Sequence, residues 1–212
     1  SILWHDPNLA EGLPVRGEPY RVTLDGADGP GTGHLAPLDD PPVALANGDF
    51  ELLPASGDAF PGWAFQDAPG VATFVDRDVR HGGRASLRMS DLAMTNPGNG
   101  NGRVYQRLAV EPFRHYHLRV WVRTAGLRGG EARFLVLGQG PSRTLQHNPV
   151  PVAGDQDWTR FDVTFNTLTH REVLVYLGVW GGGSGSIWWD DAGIEAAGPV
   201  NLVRRPGAPL RV

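Results

Sequence analysis

Glycine and proline interrupt this chain so often that long helices have no room to form: 29 glycines and 18 prolines stand in 212 residues. They follow no collagen-like period, so their effect is to reverse the backbone again and again. Between the breaks lie short runs rich in β-branched and aromatic residues, and that combination implies an all-β chain. Eight runs read as strands, at residues 71–75, 85–89, 104–110, 116–124, 132–138, 158–165, 173–180 and 186–190.

Two of these runs alternate cleanly. In the first, Tyr116, Leu118, Val120 and Val122 share one face, leaving His117, Arg119, Trp121 and Arg123 on the other. In the second, Val173, Val175, Leu177 and Val179 point one way and Leu174, Tyr176 and Trp180 the other. Such strands bury one face and expose the other, as in a two-sheet antiparallel sandwich. Eight or nine of them is a jelly-roll number.

A chain of this length buries about 70% of its unfolded surface in one core, so one main domain is expected. Residues 1–42 are rich in Pro, Gly and Asp, with one extended stretch, Tyr20 to Leu24, that ends at an Asp-Gly turn signal. They read as an arm or linker, and prolines up to Pro42 mark the boundary. The sandwich is expected over 43–197. Residues 198–212 return to turn chemistry and read as a linker toward a further, downstream domain.

The formal net charge of -4 gives no basic field for nucleic acid. All 19 basic residues are arginine, which removes Schiff-base and phosphate-loop lysine chemistry. There is no cysteine, hence no thiol nucleophile, thiolate metal site or disulfide. No apolar run approaches the roughly 18 residues of a membrane helix, so membrane insertion is not expected.

Three motifs occur in order: Asn47-Gly-Asp-Phe-Glu51 with Gly62-Trp63, then His81-Gly-Gly-Arg-Ala-Ser-Leu87, then Ile187-Trp-Trp-Asp-Asp191. Together they resemble the jelly-roll carbohydrate-binding modules that accompany bacterial glycoside hydrolases. The stretches 105–110, 116–124 and 157–165 are similar to the middle strands of that family, so the likeness spans roughly 43–195. The resemblance implies a galactose-binding-domain-like sandwich with no catalytic role. It further implies a polysaccharide or oligosaccharide ligand, attachment to a downstream catalytic domain, and an extracellular or periplasmic bacterial setting. It also implies structural calcium, with Glu51 and Asp191 as carboxylate ligands and backbone carbonyls at Asp49 and Arg84. Calcium takes six to eight oxygens in irregular geometry, and this set has the right chemistry. On the residues alone, ordinary solvated carboxylates explain it equally well.

A sugar ring presents an apolar C–H face and a polar rim, so its site needs flat aromatics beside planar polar groups. The outward residues supply both: Trp121 and Arg119 on one strand, Tyr176 and Trp180 on another, Tyr105 and Arg107 on a third. If these strands are sheet neighbours, their aromatics line one concave surface. The alternative is that the aromatics pack beneath loops. Gln139 is a loop candidate, and the polar loop 96–103 is placed to rim a cleft. The arginines suit uronate or sulfate, or simply local salt bridges. Trp63 and Trp158 are expected to be structural. Trp188 and Trp189 must face opposite sides, and so must Asp190 and Asp191 unless a bulge intervenes.

Two competing readings remain. Arg119, His117, Tyr176 and Gln139 are the residue types of a jelly-roll polysaccharide lyase. An accessory domain that only packs against a catalytic neighbour needs no ligand. His115 and His117 share a face, but no third metal ligand follows at a recognised spacing.

Overall fold

A strand that alternates with a period of two must bury its apolar face, and in this chain it does so against a second sheet. The computed structural model describes residues 20–26, 29–35, 42–140 and 142–197. The chain divides into two compact units, one of residues 43–195 and one of residues 1–42 with 196–212. In the second, strand β1 (Tyr20–Gly26) pairs antiparallel with β2 (Gly29–Leu35), Tyr20 opposite Leu35 and Gly26 opposite Gly29. The predicted extended stretch lies in β1. Its partner, glycine-rich and without alternation, gave no strand signal.

The larger unit is a sandwich of two five-stranded antiparallel sheets. One runs in the order β10 (Gln156–Asn166), β7 (His115–Arg128), β12 (Ser184–Ala197), β5 (Ser86–Met89), β4 (Thr73–Asp76). The other runs β3 (Ala64–Phe65), β6 (Gly102–Ala109), β11 (Glu172–Trp180), β8 (Glu131–Gly138), β9 (Arg143–Gln146). All eight predicted runs fall on strands. No helix occurs among the described residues.

The core lies between the sheets. Tyr116, Leu118, Val120 and Val122 of β7 and Ile187 and Trp189 of β12 meet Val173, Val175, Leu177 and Val179 of β11 and Val136 of β8, and all eleven are fully buried. Phe134 reaches across edge-on to Trp189, ring centres 6.4 Å apart. Each such side chain contributes about 1.5–3 kcal/mol by leaving water, which makes this interior the main source of stability.

The start of the sandwich is fastened to its end. Phe50, at φ 55°, is driven inward, where it stacks on Trp63 at 5.3 Å and meets Phe60 edge-on at 5.0 Å. The Trp63 indole N–H donates to the Asn47 carbonyl at 3.0 Å, which gives Trp63 the structural role expected of it. The Ala192 N–H on β12 donates to the Gly48 carbonyl at 2.8 Å.

Candidate functional site

The outward face of the β3-β6-β11-β8-β9 sheet carries an aromatic row. Register sets Tyr176 of β11 opposite Tyr105 of β6 on one side and Leu135 of β8 on the other. The two tyrosine rings stack at 4.8 Å with a 29° interplanar angle. Four residues along β11, Trp180 tilts toward Tyr176 at 6.5 Å. Tyr105 and Trp180 are half-buried while Tyr176 is 9% exposed, so Tyr176 is the floor of the row. Burial, and then the neighbouring Tyr105 phenol, raise the Tyr176 pKa above its ordinary value.

Polar groups flank the row. Arg103 on β6 grips Asp67 with two hydrogen bonds, Nε to Oδ2 at 2.9 Å and Nη2 to Oδ1 at 2.8 Å. Arg107 pairs with Glu172, and Arg133 of β8 pairs with Glu131 and also donates to the His147 carbonyl at 3.0 Å. Each arginine on these three central strands therefore faces a carboxylate of its own, and the face has little net charge. Beside Trp180, the loop that follows Met94 is docked on the glycine turn at 181–183. The Gly181 N–H donates to the Asn101 side-chain oxygen at 3.1 Å, and Gly182 N–H to the Gly100 carbonyl at 3.2 Å.

The condition that Tyr105, Tyr176, Trp180 and Trp121 share one sheet holds for the first three and fails for the last. β7 pairs with β10 and β12, so Trp121 and Arg119 lie on the outer face of the opposite sheet. There Trp121 stacks against the His81 ring at 4.0 Å, and Trp158 meets that ring edge-on at 5.7 Å. One face of the Trp121 ring is thus already covered by protein. Arg107 lies beside the row through its partner Leu174 on β11. Gln139 follows the end of β8, where its backbone N–H donates to the Glu172 carbonyl at 2.9 Å.

The sheet order also separates the lyase set. His117 and Arg119 belong to one sheet, Tyr176 and Gln139 to the other sheet and its end. His117 is 4% exposed and held between Asp162 (Nε2 to Oδ1, 2.5 Å) and Glu195 (Nδ1 to Oε1, 3.1 Å). Burial opposes its charge, but the two carboxylates outweigh it and raise the His117 pKa above 6.5. His115, which lacks such partners, has its pKa lowered by burial.

The three ordered motifs converge at the turn 81–85. Glu51 accepts from the backbone N–H of Arg84 at 2.6 Å and Ala85 at 3.3 Å. Burial works against its charge, yet these donors and the Arg84 guanidinium hold its pKa below the usual value. Asp191 pairs with the His81 ring at 2.6 Å. Asp190 accepts from the His81 and Gly82 N–H groups at 2.8 and 3.2 Å, and its burial pushes its pKa up to about 6. Asp191 adopts φ 48°, an irregularity that turns both adjacent carboxylates toward one loop, where regular strand geometry would part them. Trp189 is core and Trp188 faces outward, its indole N–H on Asp76 at 2.9 Å.

In ligand type, Glu51 and Asp191 with nearby carbonyls suit a hard cation. Both carboxylates are engaged by N–H donors, and no group of three His, Cys, Asp or Glu side chains positioned for a metal occurs among the described residues.

No family model matches the chain, and no curated protein matches it in sequence. Solved structures do match. A family 16 carbohydrate-binding module superposes with a TM-score of 0.53 at 17% identity, covering 71% of this chain and 97% of that one. A family 4 carbohydrate-binding module gives 0.51 at 16%, covering 72% and 99%. The fold is that of the carbohydrate-binding modules. It also occurs inside larger chains: the enzymatically active domain of tailspike protein 4 from bacteriophage CBA120 matches at 0.51 and 13% identity, covering 72% of this chain and 21% of that one. The all-β jelly-roll expectation is met, and at these identities the likeness concerns fold.

Arg133, Leu135 and Asp67 are not among the candidates that the sequence offers, and Arg103 enters there only as the last residue of the polar loop 96–103. Alternation in 131–138 does place Arg133 and Leu135 on one face, but only the pairing of β8 with β11 brings them to the aromatics.

Proposed function

We propose that residues 43–195 form a non-catalytic module that binds polysaccharide across the Tyr105–Tyr176–Trp180 row. The observation that supports this reading is the row itself: three aromatics on one outward face of a regular sheet, with flat rings for C–H faces and arginine and carboxylate groups for hydroxyls. Because the flanking arginines are already neutralised by Asp67, Glu172 and Glu131, the preferred ligand is an uncharged glycan and not a uronate or sulfated one. The module serves a larger glycan-active protein, in an extracellular or periplasmic setting. Calcium, held by Glu51 and Asp191 with carbonyls of Asp49 and Arg84, has a structural role in this reading.

Affinity electrophoresis on neutral and acidic polysaccharides tests it. Retardation is expected on at least one neutral glycan, with Tyr176→Ala and Trp180→Ala each weakening it about tenfold, which corresponds to about 1.4 kcal/mol. Trp121→Ala should leave it intact. Retardation lost only in Trp121→Ala, or confined to acidic glycans, would overturn the assignment.

A further inference from the structure

Gly178 interrupts β11 at the one outward position between Tyr176 and Trp180, and its backbone does not require glycine, since it is not among the positive-φ residues. Glycine inside a strand weakens it, so the reason must be space. A Cβ there would stand 2.7 Å from the Gly102 carbonyl oxygen, 3.1 Å from Arg103 Cγ and 3.1 Å from Trp180 Cζ3. The Gly102 carbonyl oxygen makes the tightest of these contacts, and the Trp180 ring and the Arg103 stem close over the rest of the gap that the missing side chain leaves. Arg103 cannot yield freely, because its guanidinium is clamped on Asp67 and its side chain is only 19% exposed.

We infer that Gly178 is a positioning residue of the proposed glycan site, holding the Trp180 indole down against the sheet. This rests on the platform reading for its function, while the ring's attitude is a separate matter. With the ring held low, the row from Tyr105 to Trp180 stays open to a chain of pyranose rings lying along it. With a methyl group at 178, the strand is pressed against the Gly102 carbonyl and the indole must shift off its seat by a few tenths of an ångström, which tilts one stacking surface out of the row. Specificity for flat, extended glycans is set by this absence of a methyl group.

The test pairs Gly178→Ala with Trp180→Ala and Trp180→Phe. Gly178→Ala is expected to weaken glycan retardation about tenfold, and to cost nothing further when added to Trp180→Ala. The near-ultraviolet circular dichroism difference between wild type and Gly178→Ala is expected to vanish in a Trp180→Phe background, which reports the ring without any ligand. Unchanged binding and spectrum in Gly178→Ala overturn the inference, as does an equal loss with and without Trp180. If Trp180→Ala binds normally, the platform reading fails, and the spectrum still decides the positioning role. If Gly178→Ala does not fold, recovery of a cooperative melt in Gly178→Ala/Trp180→Ala assigns the conflict to the ring, and no recovery assigns it to the Gly102 carbonyl and overturns the positioning role.

Discussion

Gly83→Ala should destabilise the sandwich by about 3 kcal/mol, a large effect for one methyl group at an exposed turn. Gly83 has φ 53°, and an alanine in that left-handed region costs about 1–2 kcal/mol. Its Cβ would also overlap the Glu51 carboxylate, which must then leave the N–H groups of Arg84 and Ala85. A hydrogen bond to a charged group is worth about 1.5–3 kcal/mol. With the Glu51 side chain 27% exposed, water replaces part of it, so about 1.5 kcal/mol is a fair net figure. For a domain of this size each kcal/mol lowers the melting temperature by about 2–4 °C, which gives about 6–12 °C in total. Calorimetry of wild type, Gly83→Ala, Glu51→Ala and the double variant, all in chelator, separates the parts. The double variant should lose less than the sum of the two, because removing Glu51 removes the collision. Since the folded-state pKa of Glu51 is lowered, its contribution is complete above about pH 4.5 and disappears as acid protonates it in the fold. A shift under about 2 °C for Gly83→Ala, or strictly additive losses, would refute the argument.

His117 behaves with the opposite sign. Its pKa is raised by Asp162 and Glu195, so the advantage of wild type over His117→Gln is full below about pH 6.5 and fades as pH rises through the folded-state value, which denaturant midpoints at several pH values would register. If calcium is held by Glu51 and Asp191, chelator lowers the wild-type melting temperature and leaves Glu51→Ala unaffected; equal melts of wild type with and without chelator would remove calcium from the account.

The parts of this molecule legible in the sequence are those whose cause is local. Val173 to Trp180 alternates, and that alternation alone fixes its inner and outer faces without reference to any partner strand. β3 and β9 escaped notice, being only two and four residues long and without a full period of alternation. The site was half legible for a different reason. Trp121 and Tyr176 have the same local signature, an aromatic on the polar side of an alternating strand. What separates them is that the chain crosses between sheets after β6 and again after β7, and this long-range pairing order leaves no mark on either segment. The Asp190–Asp191 pair makes a related point, since one left-handed residue cancels the parity rule for everything after it.

The bond from Ala192 to Gly48 brings the two ends of the sandwich side by side. A body whose entry and exit adjoin behaves as a cassette: it can be set into a surface loop of another protein by opening that loop only a few ångströms. The same closeness makes it a candidate for circular permutation. Joining its ends with a short glycine-rich link and cutting in the exposed loop after Met94 would leave both sheets with every strand they now have.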